Sequence, residues 1–562
     1  MDVAEILLKR GLIDETQATT VRQADDIVSW ATGQPGLDAD EIMRAIANDL
    51  GLEFIDLREE SVDLTLLETF PQKLIYRENL FPVSRQNGSI LIATADPLNF
   101  YPLDEIAAAT GLTVEPVLAD GIEIAKLIKT HLGVGGETVE GLLEQKAEDG
   151  IELLEELETD GSELSEMAQE ASVVRLVNEI LLEAIESKTS DVHIESQERG
   201  IVIRYRIDGI LHTQPVPPEI NHFRAAIISR LKIMARLNIA EKRLPQDGRI
   251  KLKVKGREVD VRVSVIPMIH GEGLVMRILD KGSMEFKLRN LGMSQKSYDI
   301  FSKLIRLPHG IILVTGPTGS GKTTTLYSSL IEINNATTKI ITTEDPVEYQ
   351  LAGINQIQVH PKIGLTFAQS LRSILRHDPD VVLVGEIRDL ETAENAIQAA
   401  LTGHLVFSTL HTNDAAGAYT RMVDMGVEPF LVTSTVEAVM AQRLVRRLCS
   451  HCRREYSPKQ DDLPDDFPFE LIDGPLYEAV GCRECRDVGY SGRMGVYELL
   501  TTTDKIRQLA TERCSTWEIK KAAAEAGMET LRDDGWIKVI EGNTTIDEIV
   551  RITKSDRTIK RK

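Results

Sequence analysis

Residues 316–323 read Gly-Pro-Thr-Gly-Ser-Gly-Lys-Thr, a complete G-x-x-x-x-G-K-T phosphate loop, and the run that enters it, Gly310-Ile-Ile-Leu-Val-Thr315, is strongly apolar. No other feature restricts the fold as much, because the loop works only where a buried strand delivers it and a helix leaves it. In that setting Gly316, Pro317, Thr318, Gly319, Ser320 and Gly321 turn the chain so that backbone N–H groups close around a triphosphate. The helix is then expected to begin at Lys322, Thr323 and Thr324. Lys322 would reach the β- and γ-phosphates, and the Thr323 hydroxyl would ligate Mg²⁺. Binding of a nucleoside triphosphate is the expectation.

Binding alone does not make a hydrolase. Val381-Val-Leu-Val384 reads as a second short buried strand that exits into Gly385-Glu386-Ile387-Arg388-Asp389. An acid at such an exit commonly holds the metal or its water, which points to Glu386. A third strand, starting at Ile340, exits through Glu344-Asp345-Pro-Val-Glu348, and one of these carboxylates can take the proton of an attacking water. Single acids also cap helices and solvate loops; placement after two strands of one nucleotide fold is what favours chemistry here. Leu371-Arg-Ser-Ile-Leu-Arg-His377 reads as an amphipathic helix carrying Arg372 and Arg376 toward the Glu386 strand. With Arg388 they can neutralise phosphate charge or pair with acids at a subunit contact, and the sequence does not separate the two. His404 and His411 flank the strand Leu405–Thr409; His411, at its exit, is the candidate phosphate sensor, with a buried structural histidine as the alternative. His193 and His270 match no ligand spacing.

A chain of 562 residues exceeds what one core organises, so about three or four domains are expected. A net charge of −24 disfavours a nucleic-acid partner, whose binding rests on a basic face. The opening Met1-Asp-Val-Ala-Glu5 lacks a basic segment followed by an apolar core, and no apolar run approaches a membrane span of roughly 18 residues. The expected location is the cytoplasm, with membranes reached only through partners. Four of the five cysteines form two C-x-x-C pairs, Cys449/Cys452 and Cys482/Cys485. Each pair can clamp one side of a tetrahedral Zn²⁺, and the 29 residues between them can loop back onto the metal. Two redox dithiols or a disulfide are the alternatives. Cys514 stands alone and reads as a small core residue.

The chain divides by composition. Residues 1–135 mix a helical pattern at Asp40–Leu52, closed by Gly51, with a hairpin pattern at Leu80–Ala93 that turns at Asn87-Gly88, giving an α/β domain. Residues 136–171 follow as an acidic flexible linker, with thirteen acids between 137 and 171 against the single base Lys146. Residues 172–285 open with a helix at Val173–Ile185 and continue into strands at Ile201–Ile207 and on either side of Gly256, a second α+β domain. In Val259-Asp-Val-Arg-Val-Ser264 the valines face one way and Arg262 the other, while Arg277 lies on the next strand-like run, Val275–Leu279. A solvated strand face is the plain reading of such arginines. Residues 286–562 form the nucleotide domain, with a zinc module at 446–497 and mainly helical residues at 498–562 that end in a basic tail, Arg557–Lys562.

These motifs carry a family resemblance. Thr343-Glu-Asp-Pro-Val-Glu348 resembles the aspartate box of secretion ATPases, Val381–Asp389 their atypical Walker B, and Leu401-Thr-Gly-His-Leu-Val-Phe-Ser-Thr-Leu-His-Thr-Asn413 their histidine box. Their order is similar to that of the assembly ATPases of type II secretion and type IV pili, from about residue 172 to the C-terminus and more weakly through residues 1–135. Leu401-Thr-Gly-His404 and Met425-Gly-Val-Glu-Pro-Phe-Leu431 lean toward the secretion form. The resemblance implies a hexameric ATPase with a RecA-like α/β core, a smaller PAS-like α+β domain and a zinc insert, using ATP and Mg²⁺ to drive protein secretion. Among the carboxylates at the exit of the strand starting at Ile340 we take Glu348 as the general base; the resemblance implies Arg262 and Arg277 reaching the nucleotide from the neighbouring domain, and residues 1–135 docking on an inner-membrane partner. Pilus assembly is the nearest alternative; a nucleic-acid translocase and a non-hydrolysing nucleotide scaffold are more distant. Some relatives bind cyclic di-GMP through an Arg-Leu-Gly opening, whereas this chain has Leu7-Leu-Lys-Arg-Gly-Leu-Ile13, which leaves that ligand poorly supported.

Overall fold

The computed structural model describes residues 3–10, 12–14, 17, 39–132 (other than 59, 61, 69, 71–73, 76–77, 87, 97–98 and 100), 151–153, 171–280 and 286–554. Asn87 of the expected turn, Gly11 of the opening, most of the acidic segment, the 285/286 junction and the basic tail lie outside the described residues. Two compact units emerge, Met1–Gly282 and Ser283–Lys562.

The first unit holds two sheets with separate cores. Strands Phe81–Gln86 and Ser89–Thr94 pair as the expected hairpin, and Thr113–Leu118 and Glu53–Phe54 extend the sheet in parallel. The helix Ala39–Leu50 ends where Gly51 takes a φ of 70°, the left-handed conformation a C-terminal cap requires. The second sheet has seven strands in the order Ile151–Leu153, Gln246–Val254, Arg257–Met268, Gly271–Asp280, Asp191–Gln197, Gly200–Ile207 and Ile210–Thr213, all antiparallel. Ile151–Leu153 falls inside the segment expected to be linker and pairs antiparallel with Gln246–Val254 as the sheet's edge. An antiparallel sheet needs cover on one face only. Here Val259, Val261, Val263, Leu274 and Met276 are buried beneath the helices Ala171–Glu186 and Arg224–Met234, while Arg262 and Arg277 stand on the opposite face.

The second unit is a doubly wound sheet in the order Asn355–Gln358, Ile340–Glu344, Val381–Val384, Leu405–Leu410, Gly310–Thr315, Val436–Leu448 and Tyr490–Thr501, parallel except for the last strand. Gly310–Thr315 is buried along its whole length because both faces are covered. Ile311 and Leu313 join one core with the helix Leu390–Leu401; Ile312 and Val314 join the other with Leu326, Tyr327 and Leu330 of the helix Lys322–Ile333.

Three expectations shift here. The helix expected at Leu371–His377 runs Phe367–Ile374 and stops early, its end tightening into a turn in which the Arg376 and His377 amides donate to the carbonyls three residues back, Ser373 at 3.1 Å and Ile374 at 2.8 Å. Residues 436–448 and 490–501 are strands of the main sheet, so the cysteine module occupies only 449–489 and the C-terminal helices begin at Asp504. Cys514 is not a core residue; it sits partly exposed in the turn between Asp504–Thr511 and Thr516–Glu525.

Candidate nucleotide and metal sites

The parallel strands place their carboxyl ends together, where ligands of open α/β sheets bind. Gly310–Thr315 delivers the loop, and the helix Lys322–Ile333 leaves it with Gly321 at φ 90° as its cap. Two glycines are required there. A Cβ on Gly316 would stand 2.5 Å from the Gln442 carbonyl oxygen, and one on Gly321 would stand 2.7 Å from Gln442 Nε2. Lys322 folds back so that its Nζ donates to the carbonyls of Gly316 at 2.8 Å and Pro317 at 3.1 Å. Burial pulls its pKa below the ordinary lysine value, while nearby Glu386 opposes that shift.

Glu386 leaves the Val381–Val384 strand into this loop region. Its Oε1 accepts from the Arg388 guanidinium at 2.6 Å, a bond that raises the Arg388 pKa, and His411 Nε2 lies 3.4 Å from Oε2. Oε2 itself is buried with no hydrogen-bond partner. A buried carboxylate oxygen beside a phosphate loop, with its second oxygen already satisfied, fits a divalent cation or its water, and Thr323 on the first helical turn supplies a hydroxyl. The neighbouring strand exits are laced together: Thr409 Oγ1 donates to the Gly385 carbonyl at 2.7 Å, and the Thr412 amide donates to Thr315 Oγ1 at 2.9 Å.

Glu344 and Glu348 separate clearly. Glu344 is buried and accepts from Thr342 at 2.5 Å, from Gln356 at 3.1 Å and from the Tyr327 hydroxyl. Glu348 is only half-buried, on the loop beyond. His404 is structural: its Nδ1 lies 2.9 Å from the Ala399 carbonyl oxygen at the foot of its strand. Arg372 and Arg376 do not run to Glu386; exposed Arg372 pairs with Glu391 and Gln369, and Arg376, past the helix end at Ile374 and also exposed, donates from Nη1 to the Arg372 carbonyl at 2.9 Å. Of these three arginines, Arg388 is the one that meets Glu386.

Sequence reasoning missed Gln442. It is buried on Val436–Leu448, donates from Nε2 to the Ser320 carbonyl at 2.6 Å and accepts from Thr325 Oγ1 at 2.8 Å, bracketing the junction of loop and helix. The signal was a lone amide in the apolar run Val439-Met-Ala-Gln442. Its neighbour Arg443 donates to Asn413 at the end of the histidine box.

On the first unit, Arg262 pairs in register with Arg277 on one side and Arg249 on the other. The three line an open cleft of about 480 Å³ with Asp191 and Asp247. Arg277 Nε donates to Asp191 Oδ1 at 3.0 Å. Arg249 was not singled out from the sequence; the strand register alone brings it there.

The four paired cysteines converge, with all sulfurs within 4.8 Å of one another and separations of 3.9 Å for Cys449/Cys482 and 3.7 Å for Cys452/Cys485 and Cys482/Cys485. Zinc–sulfur bonds of about 2.3 Å in a tetrahedron require sulfurs about 3.8 Å apart, so the donor set fits Zn²⁺. Backbone amides of Cys482 at 3.2 Å and Gly489 at 3.1 Å donate to Cys485 Sγ, favouring the thiolate a metal needs.

The fold and loop define a phosphate-loop nucleoside triphosphatase. The profile of the family described as Type II/IV secretion system protein matches residues 166–551, and that of the MshEN domain matches residues 50–138. The chain is 40% identical to the type IV pilus assembly ATPase PilB of Myxococcus xanthus over 99% of both chains. It is 51% identical to the type II secretion system protein E of Pseudomonas aeruginosa over 70% of this chain and 78% of that one. The solved ATPase DotB of Legionella pneumophila shares the fold, with a TM-score of 0.50 and 21% identity over 67% of this chain and 94% of that one. The chain thus belongs to the type II/IV secretion protein family and is an ATPase. Among the described residues no helix is long and apolar enough to cross a membrane.

Proposed function

We propose that this chain is the cytoplasmic motor of a type II secretion system, working as a ring of six copies that turns ATP hydrolysis into domain motion and so drives pseudopilus assembly. The observation that carries this reading is the 51% identity with a secretion protein E across 70% of the chain. Pilus assembly stands second, supported by the full-length likeness to PilB. In the proposed cycle Lys322 holds the phosphates, and Thr323 and Glu386 hold Mg²⁺ and orient the attacking water. Held by Thr323 and Glu386, Mg²⁺ would supply positive charge against the phosphate oxygens. Glu348 takes the proton from water, and His411 reads the loss of the γ-phosphate through Glu386, 3.4 Å away. Arg262 and Arg277 respond to the γ-phosphate from the smaller domain. Residues 1–135 dock on an inner-membrane protein, which places the motor at the membrane. Cyclic di-GMP remains poorly supported, since Arg10 of the departing motif is ion-paired with Asp49. Deleting the gene in its own host and counting exported proteins and surface pili tests the reading. Lost export with intact pili, restored by the wild-type chain and not by Glu386→Gln, is the expected result; lost pili with normal export would favour the second reading.

A further inference from the structure

The loop that carries Glu348 is tied at two points to one buried carboxylate. Glu344 closes its strand and accepts three side-chain donors from three elements: Tyr327 on the phosphate-loop helix, Thr342 on its own strand and Gln356 on the neighbouring strand. Tyr327 is fully buried, and its ring is fixed edge-on between Phe286 at 5.6 Å and Tyr349 at 6.4 Å. Its hydroxyl donates to Glu344 while accepting from the backbone amide of Glu348 at 3.4 Å. Gln356 closes the far side, donating to both Glu344 and the Tyr349 carbonyl, the latter at 3.0 Å, and accepting from the Leu351 amide at 2.8 Å. A buried carboxylate with three donors is costly to leave half-satisfied, so the network holds one arrangement rather than several.

We infer that Tyr327 is a positioning residue for hydrolysis: its hydroxyl fixes the Glu348 loop to the helix that grips the phosphates, so that base and γ-phosphate keep one geometry. This rests on the assignment of Glu348 as general base. The tether is specific to the hydroxyl. The ring packs into the core, and the phosphate loop is held separately through Gln442. Removing the oxygen therefore loosens the base without touching the nucleotide grip.

The test compares Tyr327→Phe, Gln356→Leu and Glu348→Gln in the full chain, measuring kcat, KM, affinity for a non-hydrolysable ATP analogue and Tm. Expected are a loss of about ten- to hundredfold in kcat for Tyr327→Phe, the scale of a small misplacement of a catalytic group, with analogue affinity within about twofold of wild type. Gln356→Leu should repeat that split if Tyr327→Phe fails to fold, and Glu348→Gln should be inactive. Wild-type kcat in Tyr327→Phe beside an inactive Glu348→Gln would overturn the tether alone. Parallel loss of affinity, Tm and turnover would reduce Tyr327 to a packing residue. Turnover surviving in Glu348→Gln would remove the base assignment and the tether with it.

Discussion

At the scale of single residues, the site separates grip from chemistry. Lys322 is already bonded to two loop carbonyls, so its ammonium sits where phosphate oxygens would replace them. Lys322→Ala should weaken nucleotide affinity, whereas Glu386→Gln should bind ATP and lose turnover by about 10² or more, the size of effect seen when a transition-state contact is removed. Equilibrium binding and steady-state hydrolysis in the two variants check this, and wild-type turnover in Glu386→Gln would void the metal and water assignment. The placement of the loop between a buried strand and a helix was legible because the motif fixes its spacing, and the meeting of Glu386 with His411 was legible because each follows a short apolar strand. Gln442 and Tyr327 were not, since neither belongs to a motif and each bonds a partner on another element that only the fold brings near. Arg372 and Arg376 misled for the opposite reason: helical spacing gives a face but not which neighbour that face meets.

At the scale of elements, the cysteine module and the last helix make separate claims. The module spans 449–489 rather than 446–497, because cross-strand pairing from Ala438/Thr501 to Leu448/Tyr490 keeps both flanks in the sheet. That boundary was invisible in the sequence, where cysteines mark ligands but not where strands stop. Cys482→Ser should release bound zinc and loosen 449–489 while leaving ATP affinity intact; one zinc per chain by elemental analysis of the wild type, and protease sensitivity confined to the module in the variant, are the expected readings. The helix Ile546–Ile552 is held through Glu548, which is buried against Arg446 at 2.7 Å and Arg551 at 2.7 Å. Burial works against the Glu548 charge, but the guanidiniums of Arg551 and Arg446 prevail and bring its pKa from 4.5 to about 2. A carboxyl depressed in the folded state adds stability above its unfolded pKa and loses it as pH falls through the folded one. Glu548→Gln should therefore lower Tm at pH 7 and flatten its decline between about pH 4.5 and 2, read from acid melting curves.

At the scale of the whole molecule, one sheet carries the phosphate loop and the other carries Arg249, Arg262 and Arg277 in register. Both were legible in outline, since a fully apolar strand run signals cover on two faces and an alternating one signals cover on one. Arg262→Ala and Arg277→Ala should each cut turnover at saturating ATP by at least about tenfold with Tm within a few degrees of wild type, because each side chain stands on the sheet face opposite the apolar core of Val261, Val263, Met276 and Ile278. Near-normal rates in both would return them to solvated strand residues. The tetracysteine module leaves and rejoins the sheet at residues that face each other across one hairpin. Topologically it is therefore an overgrown turn: what hangs beyond Leu448 and Tyr490 can lengthen, shrink or change its metal chemistry over evolutionary time while the phosphate-binding core keeps its strand order.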